Sequence, residues 1–237
     1  PPFPNGAVLA RTDQDIKGLA MKTAAIIVAA GRGTRAGGDV PKQWQKIAGQ
    51  TVVEHTLDLF EAHPKVDEIV LVVAFEDLGW VETMKLKNRV TIALGASTRS
   101  GSVLGGLAET DATRVLIHDA ARCCCPPAVI DRVLDALDAG QGAAPALAVT
   151  DALWTGENGK VTGLRDRTGL YRAQTPQGFH MPQILDAHAA HGDGAADDVE
   201  VARAAGIDVT IVQGDEANFK ITTPGDFVRA ARILGRN

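Results

Sequence analysis

The sequence is poor in cysteine, and its three cysteines are consecutive. Among 237 residues, thiols occur only at Cys123, Cys124 and Cys125. Adjacent thiols with no further Cys or His at ligand spacing make a poor zinc site, and an odd number makes a poor disulfide framework. We therefore expect reduced, structural thiols at the end of a strand, as in a reducing compartment.

Long apolar runs and an excess of basic charge are also absent. No run is long enough to cross a bilayer, and charges interrupt the N-terminal segment where a signal peptide has its apolar core. We therefore expect a cytoplasmic protein. The formal net charge of −5 argues against a nucleic-acid-binding surface, while a local cationic pocket remains compatible with it. We expect residues 21–237 to form one domain, and residues 1–20 to be an N-terminal extension or cloning remnant.

The two commonest glycine motifs of nucleotide-binding proteins are missing, yet a glycine-rich loop is present. The dinucleotide fingerprint opens a helix, which Pro41 opposes here, and no Gly-Lys-Ser/Thr ending marks a P-loop. Instead, an apolar run over 24–29 leads into residues 30–42, which we call the glycine loop. Its small residues let backbone N–H groups approach phosphate oxygens, and Arg35 and Lys42 supply charge. The loop suits a nucleoside triphosphate, and a plain surface turn is the alternative.

Short β-rich runs alternate with helical patterns along the chain. The predicted strands cover residues 24–29, 68–73, 90–93, 114–118, 142–148 and 208–212. Predicted helices cover 52–62 behind a Thr51-x-x-Glu54 capping box, 127–139 between prolines and Gly140, and 224–232 after Thr223. Such alternation predicts an α/β fold with a mostly parallel sheet and helices on both faces. Ligands of such sheets bind beyond the carboxyl ends of the strands, where the glycine loop falls.

Polar residues follow two further predicted strands. Asp119 fits a Mg²⁺ ligand whose shell is completed by phosphate and water, and capping of a turn is the alternative. Residues 95–102 offer amides and small hydroxyls that can read a base edge or bind an anion, and helix N-capping by Ser97 or Thr98 explains them equally well. We interpret His118 as structural.

The segment over 150–173 breaks the alternation. An Asn-Gly turn at 158–159 predicts a β-hairpin. A projecting hairpin exposes Leu153 and Trp154 unless another molecule covers them, so we expect this arm to contact a second subunit. Arg167 is then available to a substrate anion near that interface.

Several motifs, taken in order, resemble those of the 2-C-methyl-D-erythritol 4-phosphate cytidylyltransferase family over nearly all of residues 23–235. They are Ala-Ala-Gly-x-Gly-x-Arg with Pro41-Lys42-Gln43, the turn from Arg99 to Ser102, His118-Asp119-Ala120-Ala121-Arg122, Asp166-Arg167-x-Gly169-Leu170, Thr175-Pro176-Gln177 and Asn218-Phe219-Lys220. The resemblance implies a Rossmann-like nucleotidyltransferase fold with a protruding β-arm that forms a homodimer. It also implies Mg²⁺-dependent transfer of CMP from CTP to a methylerythritol phosphate.

The resemblance further implies roles for single residues. Arg35 and Lys42 stabilise charge developing on the α-phosphate, and Asp119 binds Mg²⁺. Arg167, delivered by the neighbouring subunit, and Lys220 position the acceptor phosphate. The residues implied to bind CTP are Ala29, Ala30, Gly31, Gly33, Ala96, Ser97, Arg99, Ser102 and Ala120.

The chain departs from the family pattern mainly on the acceptor side. Ala152 and Ala196 stand where threonine is common, Ala217 where aspartate is usual, and Cys123 where proline is common. One alternative is therefore a cytidylyltransferase for another polyol phosphate, such as ribitol 5-phosphate. Another is a catalytically silent nucleotide-sensing module. The chain can also be one half of a bifunctional protein with a cyclodiphosphate synthase.

Overall fold

Strands and helices alternate in the computed structural model, which describes residues 21–31 and 40–235. The strands are β1 (Thr23–Val28), β2 (Lys46–Ile47), β3 (Gln50–Thr51), β4 (Glu68–Val73), β5 (Val90–Leu94), β6 (Arg114–Asp119), β7 (Gly142–Ala148), β8 (Leu153–Glu157), β9 (Lys160–Arg165), β10 (Tyr171–Ala173), β11 (Gln177–His180) and β12 (Val209–Gln213). The helices are α1 (Val52–Ala62), α2 (Leu78–Val81), α3 (Arg99–Leu107), α4 (Pro127–Ala139), α5 (Met181–His191), α6 (Asp198–Ala204) and α7 (Pro224–Leu234), with 3-10 turns at Lys42–Trp44 and Phe75–Asp77. Each of the six predicted sheet strands and the three predicted helices is present, with bounds shifted by at most two residues. The predicted extension, residues 1–20, lies outside the described residues.

Eight strands form one mostly parallel sheet, as the sequence predicts. Strand β1 lies between β4 and β6, and β5 continues the sheet beyond β4, all in parallel. Strand β12 is parallel to β7. Strands β10 and β11 run antiparallel to β7, and β11 also pairs with β6. These two antiparallel strands were not predicted, because they are short and their polar residues show no strand pattern.

Helices cover both faces of the sheet. Successive side chains of a strand point to opposite faces. Ala25 and Ile27 therefore belong to an apolar cluster that includes side chains of α1 and α4, while Ala24 and Ile26 belong to one that includes side chains of α3, α5 and α6. All four side chains are fully buried. Within residues 21–31 and 40–235, no helix is both long and apolar enough to span a membrane.

A hairpin of β8 and β9 stands apart from the main sheet. Asn158 and Gly159 form its turn with φ angles of 51° and 75°, as type I′ turns require. Trp154 and Leu164 pair across the hairpin and are 67% and 78% exposed. The hairpin is shorter than the predicted 150–173 arm, because residues 171–173 form β10 and join the sheet through backbone hydrogen bonds to β7.

The three consecutive cysteines lie in the loop between β6 and α4. All are free and buried. Cys123 and Cys124 belong to a small apolar cluster with Ile47, Val52 and Ile221, and Cys125 belongs to the larger cluster that includes side chains of α1 and α4. The prediction of structural thiols after a strand is therefore consistent with their surroundings.

Candidate active site

A cavity of about 610 Å³ opens at the carboxyl ends of β1, β4, β5 and β6. Its walls contain most of the predicted site residues, namely Ala29, Ala30, Gly31, Lys42, Ala96, Ser97, Arg99, Ser102, Asp119, Ala120 and Lys220. Gly33 and Arg35 lie outside the described residues. Segments that are distant in sequence therefore meet at one edge of the sheet, where ligands of such folds bind.

One wall of the cavity depends on the close approach of Gly95 to the glycine loop. A Cβ atom at Gly95 would lie 2.3 Å from the Cβ of Ala30 and 3.1 Å from Ser102 Oγ. Ser102 Oγ in turn accepts a hydrogen bond from Ala96 N at 3.0 Å. Only glycine at position 95 leaves room for this arrangement, which fixes the backbone of the wall.

Thr98 and Ser97 have different roles in this wall. Thr98 is the N-cap of α3, and its Oγ1 accepts a hydrogen bond from Gly101 N at 3.0 Å. Ser97 is exposed on the cavity wall. Of the two candidate caps, Thr98 therefore has that role, which leaves the Ser97 side chain at the cavity surface.

Asp119, the last residue of β6, is surrounded by cationic side chains. Its carboxylate lies 2.9 Å from Lys220 Nζ, 3.6 Å from Arg99 Nε and 3.7 Å from Arg122 Nε. Burial opposes ionisation of this carboxyl group, but the charges of Lys220 and Arg99 keep its pKa well below the usual range. Asp119 is therefore a fixed negative charge on the cavity wall.

Backbone and side-chain hydrogen bonds hold the Asp119 region in place. Ala120 N donates to Val28 O at 3.1 Å, and Asp119 N donates to Thr175 Oγ1 at 3.2 Å. His118 Nδ1 lies 3.0 Å from the same hydroxyl. Burial lowers the pKa of His118 to about 3, so this imidazole is neutral and structural, as the sequence suggests.

Arg99 is held by a carboxylate that the sequence did not reveal. Its guanidinium donates to both oxygens of the fully buried Asp198, at 2.9 and 2.7 Å. Burial alone would lower the pKa of Arg99, but the charge of Asp198 more than offsets it and raises the pKa. Much of the hydrogen-bonding capacity of Arg99 is therefore directed at Asp198.

The segment around Lys220 is tied to the glycine-loop side of the cavity. Lys42 Nζ donates to Ile221 O at 2.8 Å. Asn218 Nδ2 donates to Thr175 O at 2.7 Å, and Arg122 Nη1 donates to Asn218 O at 2.8 Å. These contacts explain why motifs far apart in sequence converge here.

Arg167 does not line the cavity of its own chain. It is exposed after β9, and its guanidinium donates to Thr150 O. Sequence reasoning also left Gln43, Phe75 and Glu76 without a role, although all three line the cavity. Phe75 and Glu76 lie two and three residues after the end of β4, so the rule on strand carboxyl ends could have identified them.

A metal ion would depend on the substrate for most of its ligands. The described residues contain no group of three His, Cys, Asp or Glu side chains able to hold a metal. Mg²⁺ needs only one or two carboxylates when phosphate and water complete its shell. Asp119, ionised and on the cavity wall, fits that requirement.

Comparisons with known proteins point to one family. A sequence model of the family IspD, 2-C-methyl-D-erythritol 4-phosphate cytidylyltransferase, matches residues 23–236. The chain is similar to 2-C-methyl-D-erythritol 4-phosphate cytidylyltransferase of Roseobacter denitrificans, with 56% identity over 90% of this chain and 97% of that protein. It is also 59% identical to the bifunctional enzyme IspD/IspF of Ruegeria pomeroyi, over 90% of this chain and 57% of that protein.

Solved structures agree with the sequence comparison. A crystal structure of 4-diphosphocytidyl-2C-methyl-D-erythritol synthase matches with a TM-score of 0.78 and 33% identity, over 91% of this chain and all of that one. The 2-C-methyl-D-erythritol 4-phosphate cytidylyltransferase of Thermus thermophilus matches with a TM-score of 0.74 and 29% identity, over 90% and 98% of the two chains.

Proposed function

The chain belongs to the 2-C-methyl-D-erythritol 4-phosphate cytidylyltransferase family, nucleotidyltransferases of the non-mevalonate isoprenoid pathway, and we propose that the cavity described above is its active site. In the reaction, CTP and 2-C-methyl-D-erythritol 4-phosphate give 4-diphosphocytidyl-2-C-methyl-D-erythritol and pyrophosphate. The observation that carries the proposal is that Lys42, Asp119 and Lys220 line a single cavity.

The nucleoside of CTP occupies the wall formed by the ends of β1 and β5. Residues 29–31, 96–97 and Ser102 line this wall of the cavity, and the absence of a side chain at Gly95 lets the two segments approach each other. Gly33 and Ala120 complete the CTP contacts in this proposal. Arg99 contributes positive charge to the wall while Asp198 fixes its position.

Basic side chains neutralise much of the charge of the triphosphate. Lys42, with Arg35 of the glycine loop, stabilises the charge that develops on the α-phosphate. Asp119 would hold Mg²⁺, which would neutralise further charge on the phosphates. The low pKa of Asp119 keeps it available as an anionic ligand.

The acceptor phosphate binds beside Lys220, and the arm completes this part of the site. Lys220 Nζ lies 2.9 Å from the Asp119 carboxylate, so it borders the region where the α-phosphate would sit. Arg167 lies outside the cavity of its own chain, and the arm exposes Trp154 and Leu164. Both facts favour a homodimer in which one arm delivers Arg167 to the site of its partner.

Catalysis consists mainly of positioning and charge compensation. An oxygen of the acceptor phosphomonoester attacks the α-phosphorus of CTP in line, a new P–O bond forms, and the bond to pyrophosphate breaks. The two polyanions repel each other, so the basic groups contributed by Lys42, Lys220 and Arg167 bring them together. No covalent enzyme intermediate is required.

A pyrophosphate-release assay tests the proposal. The chain, CTP, MgCl₂ and 2-C-methyl-D-erythritol 4-phosphate should yield pyrophosphate and the diphosphocytidyl product by mass spectrometry. Two control reactions each change one substrate. In one, ribitol 5-phosphate replaces the acceptor, and in the other, UTP replaces CTP. Both should be much slower. CTP binding without turnover, or preference for ribitol 5-phosphate, would contradict the proposed reaction.

A further inference from the structure

The side chain of Gln43 holds the start of the glycine loop. It is buried, and Nε2 donates to the carbonyl oxygens of Ala29 at 2.9 Å and Gly31 at 3.0 Å. The buried carboxylate of Asp77 lies 3.4 Å from the same nitrogen. Carbonyl and carboxylate oxygens only accept hydrogen bonds, so the amide nitrogen must face all three. The orientation of this side chain is thereby fixed.

Gln43 lies in the middle of the 3-10 turn Lys42–Trp44. Such a turn has three residues per revolution, so successive side chains point about 120° apart. Lys42 reaches Ile221 O, and Trp44 is buried and stacks on Trp80 with ring centroids 6.2 Å apart. Gln43 is therefore the member of the turn whose side chain bonds the backbone of residues 29–31.

The hydrogen bonds of Gln43 also orient backbone amides. A trans peptide holds its C=O and N–H in opposite directions. Because Ala29 O points to Gln43, the N–H of Ala30 points away from Gln43. The same side chain thus fixes both the backbone at 29–31 and the distance from that backbone to Lys42.

We propose that Gln43 is a positioning residue that sets the separation between Lys42 and the backbone of residues 29–31 for the triphosphate of CTP. This inference rests on the proposed function of the cavity. Gln43 acts through its neighbours. Its two hydrogen bonds hold the backbone of residues 29–31, and Lys42 is joined to it by a peptide bond. The test must therefore separate positioning of Lys42 from general support of the fold.

Gln43→Met keeps the length of the side chain and removes its donors. We expect kcat/KM for CTP to fall at least about tenfold, because misplacing a reacting group by about 1 Å can cost about 10²-fold. The KM for the acceptor should stay unchanged. Gln50→Met is the control, since Gln50 Nε2 donates to Asp58 Oδ2 at 2.7 Å on the surface and Gln50 neither lines the cavity nor contacts the glycine loop. Its kcat/KM should stay within about twofold of the parent value.

A double-mutant cycle gives the decisive readout. If Gln43 acts through Lys42, adding Gln43→Met to Lys42→Ala should cost much less than adding it to the parent chain. Equal fold-losses in both backgrounds would overturn the inference, because a merely structural residue behaves that way. If Gln43→Met fails to fold, Gln43→Asn replaces it: its amide is one methylene shorter and cannot bond both carbonyls, so parental kinetics would overturn the inference.

Failure of this inference and failure of the proposed function give different results. A parent chain that releases no pyrophosphate contradicts the proposed function. A parent chain that is active, with Gln43→Met as active as Gln50→Met, contradicts only the role of Gln43.

Discussion

Among single side chains, Lys42 allows the most specific prediction, because it is the last residue of the glycine loop and lines the cavity. Lys42→Ala should lower kcat for pyrophosphate release by about 10²-fold, or about 3 kcal/mol of transition-state stabilisation, as when a preorganised donor is lost. Thermal unfolding should change little. Steady-state kinetics and melting curves test this against Lys46→Ala, an exposed lysine on β2. If the free energy of unfolding fell by as much as the transition-state stabilisation, the proposed catalytic role of Lys42 would be contradicted.

The same cavity shows which side-chain contacts a sequence reveals. Asp119 could be assigned to the site because a buried strand that ends in a carboxylate is readable from the apolar pattern. The pairing of Arg99 with Asp198 could not be predicted, because the partners are 99 residues apart and neither has a local signal. Gln43 stands next to Lys42 in a recognisable motif, but only the folded chain shows that it bonds Ala29 and Gly31.

Among helices and strands, the packing of α3 on the sheet depends on Gly106. A Cβ there would lie 2.6 Å from Val72 Cγ2 and 2.7 Å from Ile26 Cγ2. Gly106→Ala should therefore lower the free energy of unfolding by about 1–3 kcal/mol through overpacking. Gly79→Ala in α2 is the control, since its Cβ meets nothing within 4 Å, and it should be neutral or stabilising by up to about 1 kcal/mol. Urea unfolding measures both, and equal effects would rule out the packing explanation.

The hairpin of β8 and β9 gives a prediction on assembly. Trp154→Glu places a charge on the exposed apolar face and should shift the proposed dimer towards monomer in sedimentation experiments. Thr155→Asp, on the opposite face of β8, should leave the dimer intact. Activity should fall together with dimerisation, because Arg167 would no longer reach the partner site. A Trp154→Glu protein that remains fully dimeric would exclude this face as the interface.

Turn chemistry and strand length explain which elements were predicted. The hairpin was predicted because an Asn-Gly pair provides the positive φ angles that its turn needs. Strands β10 and β11 were missed because they are three and four residues long and are held by pairing with β6 and β7. Long-range pairing of this kind leaves little trace in the local sequence.

For the molecule as a whole, the buried His118 makes stability depend on pH. Burial lowers its pKa from 6.5 to about 3, so between these values the unfolded chain binds a proton that the folded chain does not. The free energy of unfolding should therefore fall as the pH decreases through this range, by at most about 1.4 kcal/mol per pH unit from this residue. Burial also lowers the pKa of His63, which acts in the same direction.

Urea unfolding between about pH 5 and 6.5 measures this dependence above the range in which carboxylates titrate. Nearby charges at Asp119, Arg122 and Lys220 act on His118, so the comparison should use His118→Gln, which leaves them in place. In the variant, the free energy of unfolding should depend less steeply on pH, by up to about 1.4 kcal/mol per pH unit, which corresponds to one proton. An unchanged slope would show that His118 is not the group responsible.

The overall α/β architecture was readable because the alternation of strands and helices extends over most of the chain. What the pattern could not show is the spatial order of the strands. Hydrophobic periodicity assigns each strand to a sheet but says nothing about its neighbours, so the position of β11 between β6 and β7 follows only from the three-dimensional pairing.

That position has a consequence for synthesis on the ribosome. Strands β6 and β7 leave the exit tunnel first, yet their intervening partner arrives only with residues 177–180. At about 5–20 residues per second, the nascent polypeptide spends seconds with unsatisfied strand edges, which are prone to aggregation. Ile221, which holds Lys42, emerges later still. Premature termination before this residue would therefore yield a translation product without a completed cavity.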